Sequence, residues 1–229
     1  MLSIIIPCYN EEKTLEEVLK KNQALGLGDI EIIVVNDGSM DKTFEIAQNF
    51  AKNNPQIKIV SYPKNQGKGF AIKKGLEIAK GEFVIIQDAD LEYDPRDIPK
   101  VIRPLKLGES QVSYGSRFLK NSWPKRMKFP YWLANKILIL STRILFKTYL
   151  TDEATCYKAF RTKLLKNISL KARGFDFCPE VTAKILKRKV KIYEVPISYE
   201  ARSSREGKKI KLKDFFIALW TLIKYRFKN

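Results

Sequence analysis

The chain of 229 residues contains no histidine and only three cysteines. Without histidine a Ser-His-Asp triad is excluded, and any general-base work must fall to carboxylates. The cysteines Cys8, Cys156 and Cys178 are odd in number, widely spaced and form no C-x-x-C pair. This pattern argues against a disulfide framework and a zinc site, and it favours a reducing compartment.

Long apolar runs are also missing. A membrane-spanning helix needs roughly 20 apolar residues, and the two nearest candidates, around 131–146 and 215–223, are interrupted or flanked by charges such as Lys136 and Arg143. The first seven residues lack a positive leader, so we expect no secretory signal peptide. The chain is therefore expected not to cross a bilayer, while a position on its surface stays open.

Acidic residues become scarce in the second half of the chain. Residues 1–110 hold 15 Lys and Arg against 17 Asp and Glu, whereas residues 111–229 hold 28 against 8. A strongly basic half favours an anionic partner, such as phosphate groups, an acidic membrane surface or nucleic acid. A generic solvated basic surface is the alternative. Because no nucleic-acid-binding motif is present, we expect no nucleic acid as partner.

Five apolar segments of strand type alternate with helical patterns along the first half. The predicted strands are Leu2–Pro7, Glu31–Asn36, Ile57–Tyr62, Phe83–Gln87 and Gln111–Gly115. Helices are predicted after Asn10 as N-cap, over about 41–53, over about 68–79 and from Asp94-Pro95. This alternation predicts an α/β fold with a Rossmann-like, mostly parallel sheet flanked by helices. The first strand is not followed by G-x-G-x-x-G, which argues against a dinucleotide enzyme.

Polar loops follow four of these strands: residues 7–11, 36–39, 65–69 and 88–92. In a parallel sheet such loops converge on one edge, where ligands bind. Asp88 and Asp90 stand one residue apart, and hard carboxylate oxygens suit Mg²⁺ or Mn²⁺, often shared with phosphate. Tyr9 is placed to pack against a base and Asp37 to accept hydrogen bonds from base or ribose. The alternative is an acidic loop that caps the next helix.

Two segments of the basic half combine apolar and aromatic residues with Lys and Arg, namely residues 124–148 and 212–227. Such amphipathic helices are typical of segments that lie in a membrane interface. Ordinary core-packing helices with lysines outward are the alternative.

Four motifs in chain order resemble those of the family 2 inverting glycosyltransferases of GT-A fold: Ile-Pro-Cys-Tyr-Asn-Glu at 6–11, Val-Val-Asn-Asp-Gly-Ser-x-Asp-x-Thr at 34–43, Asn-x-Gly-Lys-Gly at 65–69 and Gln-Asp-Ala-Asp-Leu at 87–91. Gly-Ser-Arg-Phe at 115–118 and Glu-Val-Pro-Ile at 194–197 look like the dolichol-phosphate mannose synthase branch, which includes polyprenyl-phosphate glucosyltransferases. The resemblance extends to about residue 210. It implies a single GT-A catalytic domain over 1–229, with a nucleotide-sugar-binding half at 1–118 and a basic acceptor and membrane-surface half at 119–229.

The resemblance also implies site residues. It places a nucleotide-sugar pocket at Pro7, Tyr9, Glu11, Val35, Asp37, Asp88, Ala89, Arg117, Arg202 and Lys208. It implies metal ligands at Asp88, Asp90 and Glu92, and catalytic roles for Asp90, Arg117 and Asp152. Residues 205–210 depart from the family's basic loop, so the choice between Lys208 and Lys209 stays open.

The implied reaction is a transfer of a hexose, with mannose favoured, from GDP-mannose or a UDP-hexose to dolichyl or polyprenyl phosphate, dependent on Mg²⁺ or Mn²⁺. A phosphate acceptor needs no strong base, and the metal, Arg117, Arg202 and Lys208 would offset repulsion between phosphate groups. The alternatives are a UDP-glucose or UDP-N-acetylhexosamine donor, a sugar or protein hydroxyl acceptor with Asp152 as base, and, remotely, a non-catalytic nucleic-acid-binding module. The expected location is peripheral, on the cytoplasmic face of the membrane, with a membrane-anchoring subunit as an open alternative.

Overall fold

The computed structural model describes residues 1–202 and 209–228. The strands are β1 Leu2–Cys8, β2 Ile30–Asp37, β3 Ile57–Tyr62, β4 Phe83–Ile86, β5 Val112–Ser116, β6 Lys158–Arg161 and β7 Ile192–Pro196. The helices are α1 Leu15–Gln23, α2 Thr43–Lys52, α3 Lys68–Ile78, α4 Ile98–Lys106, α5 Phe129–Phe146, α6 Thr162–Lys166, α7 Phe177–Lys187 and α8 Leu212–Phe227. A 3₁₀ turn, Pro95–Asp97, precedes α4 and is capped by the Asp94 side chain.

The strands form one sheet in the order β3-β2-β1-β4-β6-β5-β7. Strand β1 pairs in parallel with β2 and β4, β2 with β3, and β5 with β7. Only β6, among the described strands, runs antiparallel to its neighbours β4 and β5. The predicted mostly parallel α/β sheet is therefore confirmed. The short strands β6 and β7 were not predicted, and they complete the sheet from the basic half.

The core lies around the central strands. The side chains of β1, β2 and β4 are almost continuously buried, as expected for parallel strands covered on both faces by helices. Helix α3 packs on β1 and β2, and Gly75 permits the close approach, because a Cβ there would lie 2.6 Å from Ile5 Cγ2. This packing holds the start of α3, with the Gly67-Lys68-Gly69 turn, at the carboxyl edge of the sheet.

The prediction that Asn10 caps a helix was wrong. Helix α1 begins at Leu15, and Asn10 instead has a left-handed backbone with φ of 50°. Its backbone N–H donates to Ser39 Oγ at 2.9 Å, and its Oδ1 accepts from the Met40 N–H at 2.8 Å. Asparagine tolerates this conformation and its amide competes with helix formation by bonding nearby backbone. The residue therefore ties the loop after β1 to the loop after β2.

Helices α5, α7 and α8 pack together beside the second half of the sheet. A small apolar cluster joins them, made of Leu138, Ala183, Ala218, Leu222 and Tyr225. The two segments predicted as amphipathic correspond to α5 and α8. Within the described residues, every helix is too short or too polar to cross a bilayer.

Candidate active site

A cavity of about 800 Å³ opens at the carboxyl edge of the sheet. All four strand-end loops contribute to its wall, so the tertiary structure brings together the polar motifs that are separate in sequence. Ten of the residues proposed from sequence line it: Pro7, Tyr9, Glu11, Asp37, Asp88, Ala89, Asp90, Glu92, Arg117 and Arg202. Val35 and Asp152 are fully buried behind the wall, and Lys208 lies outside the described residues.

Asp37 organises the glycine turn. Its Oδ1 accepts from the Gln66 N–H at 2.8 Å, and its Oδ2 accepts from the Gly67 N–H at 2.7 Å. Gly67 has a φ of 101°, and a Cβ there would overlap the carbonyl oxygen of Arg173. Only glycine therefore fits this turn, and Asp37 holds it at the end of β2. Each carboxylate oxygen keeps a further lone pair for a ligand.

The acidic group at the end of β4 is compact. Leu91 adopts a left-handed backbone with φ of 60°, a conformation that costs a non-glycine residue about 1–2 kcal/mol. The Glu92 N–H donates to Asp90 Oδ1 at 3.1 Å, and Tyr199 Oη donates to Glu92 Oε2 at 2.8 Å. Burial raises the pKa of Asp90 to about 7, and the nearby carboxylates of Asp88 and Glu92 act in the same direction.

Two basic residues near the end of the chain, Arg202 and Lys209, contact carboxylates of the site. Arg202 Nη2 lies 2.8 Å from Asp90 Oδ2, and Arg202 Nη1 lies 3.2 Å from Glu11 Oε2. Lys209 Nζ lies 2.6 Å from Glu11 Oε1 and also donates to the Tyr9 carbonyl oxygen. Lys209 thus forms an ion pair with a site carboxylate, while Lys208 lies outside the described residues.

Sequence reasoning missed Lys68 as a site residue. Its side chain is 18% exposed, and its Nζ lies 2.5 Å from Asp88 Oδ1 and donates to Cys156 Sγ at 3.4 Å. Burial alone would lower the pKa of Lys68, but the Asp88 carboxylate raises it well above its usual value. A lysine between two glycines, at the first position of a helix on the carboxyl edge, was the signal available in the sequence.

Arg117 and Asp152 have different positions relative to the cavity. Arg117 lines it and donates through Nη2 to Asn135 Oδ1 at 2.9 Å. Asp152 is fully buried, and both of its carboxylate oxygens accept hydrogen bonds from Arg117. Its thorough burial favours a role in orienting Arg117 over direct contact with an acceptor.

The donor chemistry at the edge of the sheet fits a divalent cation of the Mg²⁺ or Mn²⁺ type. Asp90 Oδ2 and Glu92 Oε1 both face the guanidinium of Arg202, at 2.8 Å from Nη2 and 3.9 Å from Nε. Asp88 is instead engaged by Lys68, and the described residues contain no cluster of three His, Cys, Asp or Glu side chains around one point. Proteins usually supply one or two carboxylates to Mg²⁺, and phosphate oxygens and water complete its octahedral coordination.

The cavity continues away from the carboxylates as an apolar arm between α5 and α8. The arm is lined mainly by Met127, Pro130, Tyr131, Ala134, Leu138, Ile210, Leu212, Phe215 and Ala218. One continuous space therefore joins an ionic end, suited to phosphate groups and a metal, to an apolar end suited to hydrocarbon.

Comparison with solved structures identifies the fold. Glucosyl-3-phosphoglycerate synthase from Mycobacterium tuberculosis, crystallised with Mn²⁺, uridine diphosphate and glucosyl-3-phosphoglycerate, has a TM-score of 0.75 at 21% identity. The match covers 98% of this chain and 78% of that chain. The structure of the same enzyme with Mg²⁺ and uridine diphosphate gives a TM-score of 0.75 at 23% identity, over 98% of this chain and 77% of that one. The predicted GT-A fold is confirmed.

Sequence comparison finds nearer relatives. A dolichol-phosphate mannosyltransferase of Pyrococcus furiosus is 33% identical over 211 residues, which is 90% of this chain and 58% of the relative. This chain thus spans little more than half of that protein. A UDP-N-acetylglucosamine–dolichyl-phosphate N-acetylglucosaminyltransferase of Methanococcus voltae is 30% identical, over 86% of this chain and 84% of the relative.

The family assignment rests on a match over most of the chain. Residues 3–169 match the profile described as Glycosyl transferase family 2. This range covers β1 to α6 and all four strand-end loops. The chain belongs to glycosyl transferase family 2.

Proposed function

We propose that this chain catalyses the metal-dependent, inverting transfer of a hexose from a nucleotide sugar to dolichyl or polyprenyl phosphate. The observation that carries the proposal is the single cavity that joins the carboxylates and arginines of the sheet edge to the apolar arm between α5 and α8. A lipid phosphate is an acceptor that needs both ends at once. The names of the relatives from P. furiosus and M. voltae agree with this acceptor class.

The residues of the cavity suggest a division of labour. Asp90 and Glu92 would hold the divalent cation, which would neutralise the donor diphosphate and stabilise it as leaving group. Arg117 and Arg202 would offset the repulsion between the acceptor phosphate and the donor diphosphate. The acceptor phosphate is already an anion at neutral pH, so the reaction needs no general base. We assign residues 1–118 to the donor and the metal, and residues 119–229 mainly to the acceptor.

For the donor we favour GDP-mannose, because the relative with 33% identity is a mannosyltransferase. A UDP-hexose, in particular a UDP-N-acetylhexosamine, is the second candidate, because the M. voltae relative matches over most of its own length. Tyr9, Glu11 and Asp37 line the cavity, and we assign the nucleoside to them, but none of them distinguishes guanine from uracil by its chemistry.

We further propose that the chain works as a peripheral protein on the cytoplasmic face of a membrane. Helix α5 exposes Leu133, Ile137, Leu140 and Ile144 along one side, and helix α8 exposes Phe216, Trp220 and Phe227. These spacings of three, four or seven residues place each set on one face. We call the two sets together the outer face of α5 and α8. Exposed apolar stripes flanked by lysines suit contact with anionic lipid.

The decisive experiment is a transfer assay with radiolabelled GDP-mannose, UDP-glucose and UDP-N-acetylglucosamine, Mn²⁺ and a short polyprenyl phosphate. We expect label to enter the lipid fraction with one of these donors and to be lost in EDTA. Polyprenol without phosphate is the matched acceptor control. Transfer to a sugar or protein hydroxyl, with none to lipid phosphate, would exclude the proposed acceptor.

The donor is resolved by a thermal-shift screen of the same nucleotide sugars with Mg²⁺ or Mn²⁺. A ligand that binds the folded protein raises its melting temperature by mass action. A shift with UDP-sugars alone would remove GDP-mannose and leave the lipid acceptor proposal intact.

A further inference from the structure

Arg202 sits at the centre of the acidic group rather than at its rim. Its guanidinium contacts Asp90 at 2.8 Å and Glu11 at 3.2 Å, and its Nε lies 3.9 Å from Glu92 Oε1. Its backbone N–H also donates to Glu92 Oε1 at 2.8 Å. The Arg202 side chain is only 14% exposed and the three carboxylates are 10–14% exposed, so solvent screens these contacts poorly.

Lys209 extends the same arrangement. Its Nζ contacts Glu11 Oε1 at 2.6 Å, while Arg202 contacts Glu11 Oε2. The two oxygens of Glu11 are thus each engaged by a different cation. The Lys209 Nζ also lies 5.6 Å from the centre of the Tyr9 ring, over the place proposed for the nucleoside base.

Arg202 thus pairs with the same carboxylates that would bind the metal when the donor is bound, and Lys209 shares Glu11 with it. A divalent cation binding alone at Asp90 and Glu92 must compete with Arg202 and would leave its poorly solvated guanidinium with Glu11 in place of three counter-ions, which is unfavourable. A nucleoside diphosphate binding alone must draw Arg202 and Lys209 away from carboxylates that would then face phosphate. When both bind, the carboxylates pair with the metal and the two cations pair with phosphate oxygens, so every charge regains a partner.

We propose that Arg202 and Lys209 form an ionic latch over Glu11, Asp90 and Glu92, which a divalent cation and a nucleoside diphosphate open together. This inference rests on the proposed function, because the nucleoside diphosphate that opens the latch is part of the proposed nucleotide-sugar donor. Its consequence is positive coupling: each ligand raises the affinity for the other by the same factor. The latch thereby disfavours occupation of the site by free metal or by metal-free nucleotide.

The test is direct binding of Mn²⁺, followed by the electron paramagnetic resonance signal of the free ion. The wild-type chain is titrated with Mn²⁺ alone, and again with saturating GDP or UDP, and the Mn²⁺ held by the same concentration of nucleotide without protein is subtracted. We expect weak binding alone and binding tightened on the order of tenfold or more with one diphosphate, within the usual range of coupled sites.

The variant Arg202→Gln removes the competing charge. We expect it to bind Mn²⁺ alone on the order of tenfold more tightly than wild type, and to gain less from the diphosphate. A second variant, Lys209→Gln, removes the other cation that contacts Glu11 and should likewise reduce the coupling between Mn²⁺ and the diphosphate. Arg96→Gln is the matched control, because it breaks a surface ion pair with Asp94 outside the cavity, and it should behave as wild type.

Two results would overturn the latch. One is an Arg202→Gln protein, folded by circular dichroism, that binds Mn²⁺ alone no more tightly than wild type. The other is Mn²⁺ binding to wild type that is already tight and indifferent to either diphosphate. Failure of both GDP and UDP to bind would contradict the proposed donor class, while the comparison of Mn²⁺ alone between wild type and Arg202→Gln would still decide the latch.

Discussion

Arg117 and Asp152 form a bidentate ion pair in which Nε and Nη2 of the guanidinium donate to different carboxylate oxygens, each at 2.7 Å. The Arg117 backbone N–H donates to the same carboxylate at 2.9 Å. Burial lowers the pKa of Arg117, but Asp152 outweighs it and raises that pKa well above its usual value. Asp152 therefore fixes both the charge and the direction of a guanidinium that lines the cavity.

Replacing Asp152 tests whether it orients Arg117 or acts as a base. For Asp152→Asn we expect activity to fall about a hundredfold, the scale for losing one well-placed charge stabiliser, while the shape of the pH–rate profile is kept. Asp152→Ala should also lower the free energy of unfolding by about 3–5 kcal/mol, because it leaves a buried charge unpaired. Asp29→Asn, at the exposed partner of the N-terminus, is the control. Loss of the acidic limb of the profile in Asp152→Asn would instead identify a general base.

Asp90→Asn should abolish metal-dependent nucleotide binding while keeping the fold. Burial already disfavours the Asp90 charge, and Arg202 retains its contacts with Glu11 and Glu92, so we expect a change in unfolding free energy within about 1 kcal/mol. The measurement is the rise in melting temperature with Mn²⁺ and nucleoside diphosphate, which should be present in wild type and absent in the variant. Full activity of the variant, or of wild type in EDTA, would mean that Asp90 is not a metal ligand.

The outer face of α5 and α8 should bind anionic vesicles reversibly. Phe216 and Trp220 are 60% and 64% exposed, and burying such a side chain is worth about 2 kcal/mol. Replacing both with Ser should weaken vesicle binding at least tenfold, and salt should weaken it further because basic residues near the surface each contribute about 1 kcal/mol. The measurement is co-sedimentation with phosphatidylserine vesicles.

Leu107→Ser is the matched control for that experiment. Leu107 is 59% exposed but lies just after α4, away from α5 and α8. The control should sediment with vesicles as wild type does. Wild-type protein that stays in the supernatant at low salt would contradict direct docking and favour a membrane-anchoring partner.

Glu180 should make the protein sensitive to acid. It is buried, and its oxygens accept from the Lys171 and Ala172 N–H groups and from Lys184 Nζ. Burial raises the pKa of Glu180, but these donors outweigh burial and lower it below its usual 4.5. A depressed folded-state pKa means that the stabilisation is complete above pH 4.5 and is lost as pH falls through the lower folded value.

Urea unfolding between about pH 7 and pH 3 measures this effect. Glu180→Gln should be about 2 kcal/mol less stable at neutral pH, with a smaller further loss on acidification than wild type. Glu82→Gln, which removes an exposed partner of Arg161, should keep the wild-type dependence. Parallel pH curves for Glu180→Gln and wild type would show that other carboxylates govern acid unfolding.

The sequence by itself determined the elements whose signals are local. Strand β3 at Ile57–Tyr62 and helix α8 at Leu212–Phe227 lie where the apolar patterns place them, because periodicity and the flanking breakers act within a few residues. The convergence of the polar loops was likewise predictable from sequence, because the loops that follow parallel strands lie at one edge of the sheet. Strands β6 and β7 were missed because charged residues or proline interrupt their apolar patterns: Lys158 and Arg161 in β6, and Glu194 and Pro196 in β7. The equally short β4 is wholly apolar and was predicted.

Only the tertiary structure decided which charges meet. Arg202 and Asp90 are 112 positions apart, and nothing near either residue specifies the other. The same holds for Lys68 on Asp88, and for the burial of Asp152 that makes it a partner of Arg117. Local propensity depends on neighbours along the chain, whereas ion pairing and burial depend on how the sheet and helices pack, and that packing is a property of the whole fold.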